Sequence, residues 1–254
     1  MKGIKYILPL IFTVFFSQKN YSQYITTDEN YTAQQLVQNV LINSPCATVS
    51  NFSVSGGNFT SGEKSYARFN GTGTTFPFQD GIVLSTGKAS NTQGPNTSLS
   101  DDGANMGWNG DQDLEQTLGI SNTINATILE FDFISVGNKF SFDYIFSSEE
   151  YQGNAPCRYS DGFGFLLKEV GSSNPYQNLA LVPNTNTPVL VTTVHPEIGG
   201  GNGCPAINEQ YFDAVVTRSM NRNLTDAQTD SNRNTAQNHP QTNISCNKSQ
   251  LNIG

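Results

Sequence analysis

Residues 128–146 read Ile128-Leu129-Glu130-Phe131-Asp132-Phe133-Ile134-Ser135-Val136-Gly137-Asn138-Lys139-Phe140-Ser141-Phe142-Asp143-Tyr144-Ile145-Phe146. Leu129, Phe131 and Phe133 alternate with Glu130 and Asp132. Beyond the turn-like Gly137-Asn138, Phe140, Phe142, Tyr144 and Phe146 alternate with Ser141, Asp143, Ile145 and Ser147. A third run sets Phe163, Phe165 and Leu167 against Gly164, Leu166 and Lys168. Successive side chains of a strand point to opposite faces, so each run predicts a strand with one aromatic face and one mostly polar face. Antiparallel sheet packed on one side reads this way. The expected fold is all-β, mainly antiparallel: a jelly-roll-like β-sandwich with one N-terminal helix.

That helix is expected over Tyr31 to Ile42. Thr32 and Gln35 have capping-box spacing, and Ala33, Leu36, Val37, Val40 and Leu41 share a face at helical period. Pro45-Cys46 ends it. Short apolar pieces alternating with Gly-rich turns predict strands at Val49–Val54, Tyr66–Phe69 and Asp80–Gly87. A long polar loop follows, carrying the single tryptophan, Trp108. Leu114, Leu118 and Gly119 suggest one helical turn closed by glycine. Leu179–Pro183, Val189–Val194 and Tyr211–Val216 read as later strands. Arg218 to Gly254 has few large apolar residues and no alternation, as in a disordered, truncated or frame-shifted tail.

At the start, Lys2 and Lys5 precede the apolar run Tyr6–Phe16, which is too short to span a membrane and reads as a cleaved signal peptide over 1–22. The sandwich domain is then expected over 23–217, secreted or at the cell surface. Removing Lys2, Lys5 and Lys19 takes the formal charge from 13 − 21 = −8 to 10 − 21 = −11. An acidic chain lacks the basic stripe that a nucleic-acid partner requires. Four cysteines in an exported chain favour disulfides. Cys157 and Cys204 sit in Pro-flanked loops beside core strands and are expected to pair, leaving Cys46 with Cys246.

Six segments together resemble the choice-of-anchor L domain of bacterial secreted and surface proteins. They are Asp80–Gly87, Gly94–Ser98, Gly110–Leu114, Leu129–Phe133, Phe140–Tyr151 and Asn178–Pro183, in order over roughly residues 32 to 212. The resemblance implies an extracellular β-rich module joined to interchangeable anchors, often with a type IX secretion signal; the family has no assigned biochemical activity, and adhesion is the role expected of it. The anchor itself is expected to be missing from this chain.

Three clusters carry candidate chemistry. Asn109, Asp111 and Asp113, with Asp101 or Asp102, place oxygens at alternating loop positions, as calcium requires. The competing reading makes Asp111 or Asp113 a helix cap. Glu149 and Glu150, with Asp161, offer either a ligand-binding set or the two carboxylates of a glycosidase. Trp108, Tyr151 and Tyr159 are candidate stacking surfaces for a sugar or a protein. No Gly-x-Ser-x-Gly elbow stands near a strand, so nucleophilic hydrolysis is not expected. The favoured reading is a non-catalytic recognition or adhesion module, calcium-stiffened, with an extracellular glycan or protein as partner. A carbohydrate-active hydrolase and a structural spacer are the alternatives.

Overall fold

The computed structural model describes residues 24–42, 47–94, 107–135 and 143–212. The expected signal peptide, Asp101, Asp102, Phe140, Phe142, Cys46, Cys246 and the tail from Arg218 lie outside the described residues. So do the last residues of the strand expected at Tyr211–Val216.

Strands β1 (Thr26–Asp28), β3 (Tyr66–Asn70) and β4 (Asp80–Leu84) form one antiparallel sheet in the order β1-β3-β4. Strands β2 (Ala47–Ser55) and β5 (Ile128–Ser135) form a second antiparallel pair. A short third pair joins β6 (Leu166–Leu167) to β7 (Gln177–Asn178). The described chain is thus mostly antiparallel strand with few helices.

Helix α1 (Ala33–Gln35) begins as its sequence dictates. The Gln35 amide donates to Thr32 Oγ1 at 3.2 Å, and the Thr32 amide donates to Gln35 Oε1 at 2.9 Å. It runs on as a π-helical segment, Leu36–Leu41, whose end is marked by the Ile42 N–H donating to the Val37 carbonyl at 2.7 Å. Leu36, Val37, Val40 and Ile42 are buried, and this segment contacts β2, β3 and β4. The main apolar cluster holds Ile25, Phe69 and Phe78, with Phe76, Val83 and Ile145 packed against it.

The aromatic alternation on β5 translates into structure. Leu129, Phe131 and Phe133 are half-buried while Glu130 and Ile134 face out. Phe131 and Phe133 stack along the same face with centroids 6.3 Å apart. Pairing with β2 is interrupted between Ser50 and Ser53, where Asn51 and Phe52 stand opposite Phe131. Asn51 takes φ +55°, and the extra residue is a β-bulge that turns Phe52 and Val54 inward after the outward Ser50 and Asn51. Asn51 Nδ2 then donates to Asp132 Oδ2 at 2.6 Å, fixing the bulge from outside.

The other two aromatic runs correct the expectation. Residues 143–148 form no strand, and Ile145, not Tyr144, packs on the core. Period two holds only where a ladder fixes the backbone, and no ladder reaches this segment. In the third run only Leu166–Leu167 is strand. Just before it, Phe165 N–H donates to the side chain of Asn178, Oδ1 at 3.1 Å, rather than to a strand carbonyl.

The strands expected at 179–183 and 189–194 reduce to two isolated bridges, Leu181 to Pro188 and Leu190 to Gly162, and a 3-10 turn, Val191–Thr193. Pro188 has no N–H to donate, and Thr193 Oγ1 both donates to the Pro188 carbonyl (2.7 Å) and accepts the Leu190 N–H (2.9 Å). A second helix, α2 (Gln112–Leu118), replaces the single turn expected there. Gly119 at φ +69° closes it, with the Ile120 N–H donating to the Glu115 carbonyl at 3.0 Å.

Candidate functional site

The segment between Asp143 and Gly162 brings two of the candidate carboxylates, Glu150 and Asp161, together. Glu149 and Glu150 lie in a turn, so the opposite-face rule of a strand does not separate them. The Ser148 hydroxyl donates to Asp161 Oδ2 at 2.5 Å and accepts the Glu150 N–H at 3.1 Å. Asp161 returns its own N–H to Glu150 Oε2 at 3.1 Å. Ser148, Glu150 and Asp161 therefore close a ring of three hydrogen bonds across 13 residues of chain.

Burial pushes the Glu150 carboxyl up to about 7, and the negative charge of Asp161 adds to the rise; the Asp161 N–H opposes it. The neighbouring Tyr151 phenol is pushed up by burial and then by Asp161. Tyr151 packs edge-on against Phe212 at 5.0 Å, so its ring supports the loop. Two atoms here are buried without a partner, Ser147 Oγ and Gln152 Nε2.

At the edge of this network the aromatic surface is open. Tyr159 is 59% exposed and Tyr144 37% exposed, the latter resting on Phe163 at 4.8 Å between centroids. Tyr144, Glu149, Glu150, Tyr159, Asp161 and Phe163 all line an open hollow that extends on over β4 and β5. A disulfide anchors the loop: Cys157 and Cys204 are joined with Cα atoms 5.7 Å apart. It ties the 3-10 turn Ala155–Cys157 to the hairpin that pairs Ile198 with Cys204.

The acidic residues expected to hold calcium stand elsewhere. Asp111 Oδ1 accepts the Leu114 N–H at 2.6 Å as the N-cap of α2, and the Asp111 N–H is taken by Thr123 Oγ1 at 3.0 Å. Asn109 is exposed and bridges to Ile124 through its backbone. Asp111 and Asp113, with Glu130 and Asp132, lie within electrostatic reach of Tyr176. Burial, then these four charges, push the Tyr176 phenol up, and Lys168 Nζ sits over its ring at 5.1 Å. Among the described residues, no group of three or more His, Cys, Asp or Glu is gathered as a metal ion requires.

Trp108 is half-buried, and its indole edge is taken up by the fold. Its Nε1–H donates to the Ala126 carbonyl at 2.9 Å, its backbone N–H donates to Asn125 Oδ1 at 3.1 Å, and Phe59 meets it edge-on at 6.0 Å. Gly57 lies so close that a Cβ there would come within 2.7 Å of the indole.

Nothing in the sequence marks Ser148 or the exposed Tyr144 as site residues. A serine in a loop carries no period, and the Ser148–Asp161 contact joins residues that only the fold brings together. Register with Phe142 and Phe146 predicts a buried Tyr144, and the structure leaves it 37% exposed.

Among the described residues, no helix is long and apolar enough to cross a membrane. Neither the curated proteins nor the solved structures contain a match to the chain. The choice-of-anchor L domain matches residues 24–249, reaching beyond the six motif segments at both ends. With that match spanning nearly the whole length, the chain belongs to the choice-of-anchor L domain family.

Proposed function

We propose that this module, of a family found in bacterial surface and secreted proteins, is a non-catalytic recognition domain. Its contact surface is the cleft edge carrying Tyr144, Glu149, Tyr159 and Asp161, and its target is an extracellular glycan or protein. The two larger sheets serve as the faces of an open, jelly-roll-like scaffold, and adhesion is the role this arrangement serves.

One observation carries the reading. Glu150 and Asp161 are tied to each other through Ser148 and a backbone amide while aromatic rings stand exposed beside them. A glycosidase holds its two carboxylates apart on either side of the bond it cleaves. Here they stiffen one loop, and stiff loops with open tyrosines suit binding at low entropic cost. Arrays of glycans and of extracellular proteins, probed with the full chain and with Tyr159→Ala, test the reading directly.

A second reading has one observation in its favour. A carboxyl held near pH 7 is what a general acid needs, and Glu150 is such a group. Hydrolysis of a polysaccharide panel that disappears in Glu150→Gln would establish it.

A further inference from the structure

We propose that the Cys157–Cys204 disulfide is a directional exchange site. An incoming low-molecular-weight thiol attacks Cys157, and Cys204 leaves as a thiolate beside His195.

His195 is 1% exposed. Its Nδ1 lies 2.8 Å from the Pro196 carbonyl oxygen, which can only accept, so Nδ1 carries the proton. Nε2 is left with its lone pair, and the group facing it is Cys204 Sγ at 4.0 Å. Among the described residues, this buried ring nitrogen set against sulfur has no good donor, an arrangement that costs stability. Backbone pairing holds it there, with His195 and Ile207 exchanging N–H and carbonyl at 2.9 and 3.0 Å. No other histidine stands among the described residues, so the two sulfurs are chemically unequal.

Reduction resolves the mismatch. The thiol sulfur forms a bond to Cys157 Sγ, the Cys157–Cys204 bond breaks, and its electron pair goes to Cys204. The proton of the thiol ends on His195 Nε2, giving an imidazolium–thiolate pair. A second thiol then displaces the first from Cys157, leaving a Cys157 thiol and an oxidised dimer of the reagent. Leaving-group stability decides which sulfur is attacked, and the imidazole favours Cys204 as the leaving group. Both cysteines are half-exposed, and the Gly199–Gly203 loop beside them is open. Opening the bond frees the Ala155–Cys157 turn from the Ile198–Cys204 hairpin. The proposal goes beyond the recognition reading and stands whether or not the cleft binds a ligand.

The test exposes the full oxidised chain to reduced glutathione, quenches with acid, alkylates free thiols and maps the peptides by mass. The expected product carries glutathione on Cys157 and the alkyl group on Cys204, in roughly tenfold excess over the reverse. His195→Gln is expected to slow reduction about tenfold and to even out the two products. Adducts mainly on Cys204, or an even split in the unaltered chain, would overturn the proposal without recourse to any variant. So would a bond that glutathione leaves intact, or a His195→Gln chain with unchanged rate and selectivity.

Discussion

Asp161 donates its backbone N–H to the Glu150 carboxylate at 3.1 Å, while its own negative charge helps burial to lift that carboxyl up to about 7. One residue thus both fixes Glu150 and resists its ionisation. A carboxyl whose folded value is raised opposes folding once it must ionise. The penalty is absent below the unfolded value of 4.5 and grows as pH rises through about 7. Discounted for partial solvent exposure, it amounts to about 1–2 kcal/mol. Urea unfolding from pH 4.5 to 8 should show the unaltered chain losing that much relative to Glu150→Gln. Parallel curves would mean that Glu150 ionises as freely in the fold as in the open chain.

Asp111 separates a cap from a metal ligand. Removing an N-cap side chain costs about 1 kcal/mol, and Asp111→Ala should lower the melting temperature equally in calcium and in chelator. A loss confined to calcium buffer would return Asp111 and Asp113, with Asn109, to the ion-binding role expected from their spacing.

Trp108 is predicted to matter for folding before it matters for binding. Trp108→Phe removes the bond to the Ala126 carbonyl and should cost about 1 kcal/mol. Gly57→Ala should cost a comparable 1–3 kcal/mol by forcing a methyl group against the indole. Circular-dichroism melts of both variants check this. Unchanged melts with lost ligand binding would make Trp108 part of the contact surface.

Cys157→Ser with Cys204→Ser opens a loop of sequence separation 47, for which chain entropy gives a loss of about 4 kcal/mol. Urea unfolding under oxidising conditions measures it. A loss below about 1 kcal/mol would show that the loop holds its place without the staple.

How far the sequence spoke for itself follows from the range of each interaction. The Thr32–Gln35 capping box and the alternation on β5 are local, set by neighbours three and two residues away, and both were legible. The Cys157–Cys204 pair was legible from the flanking prolines, Pro156 and Pro205, although the core strands expected beside it are mostly turns and isolated bridges. The bulge at Asn51 was not, because it depends on a partner strand some 81 positions later. Tyr144 and Ile145 exchanged faces because alternation without a ladder does not fix orientation. The Glu150–Asp161 pair was selected by composition, but its hub, Ser148, emerged only once the loop was folded. Asp111 fits two roles in sequence, cap and cation ligand, and the cap is the one whose hydrogen bond, from the Leu114 N–H, is seen in the fold.

Binding of the full chain to arrayed glycans and extracellular proteins, beside a Tyr144→Ala and Tyr159→Ala double variant, tests the central claim most directly. The unaltered chain should retain a defined set of targets, and the double variant should lose at least about tenfold in affinity with its melting temperature preserved. Equal binding by the two chains, or no retained target at all, would contradict a recognition surface at this cleft edge.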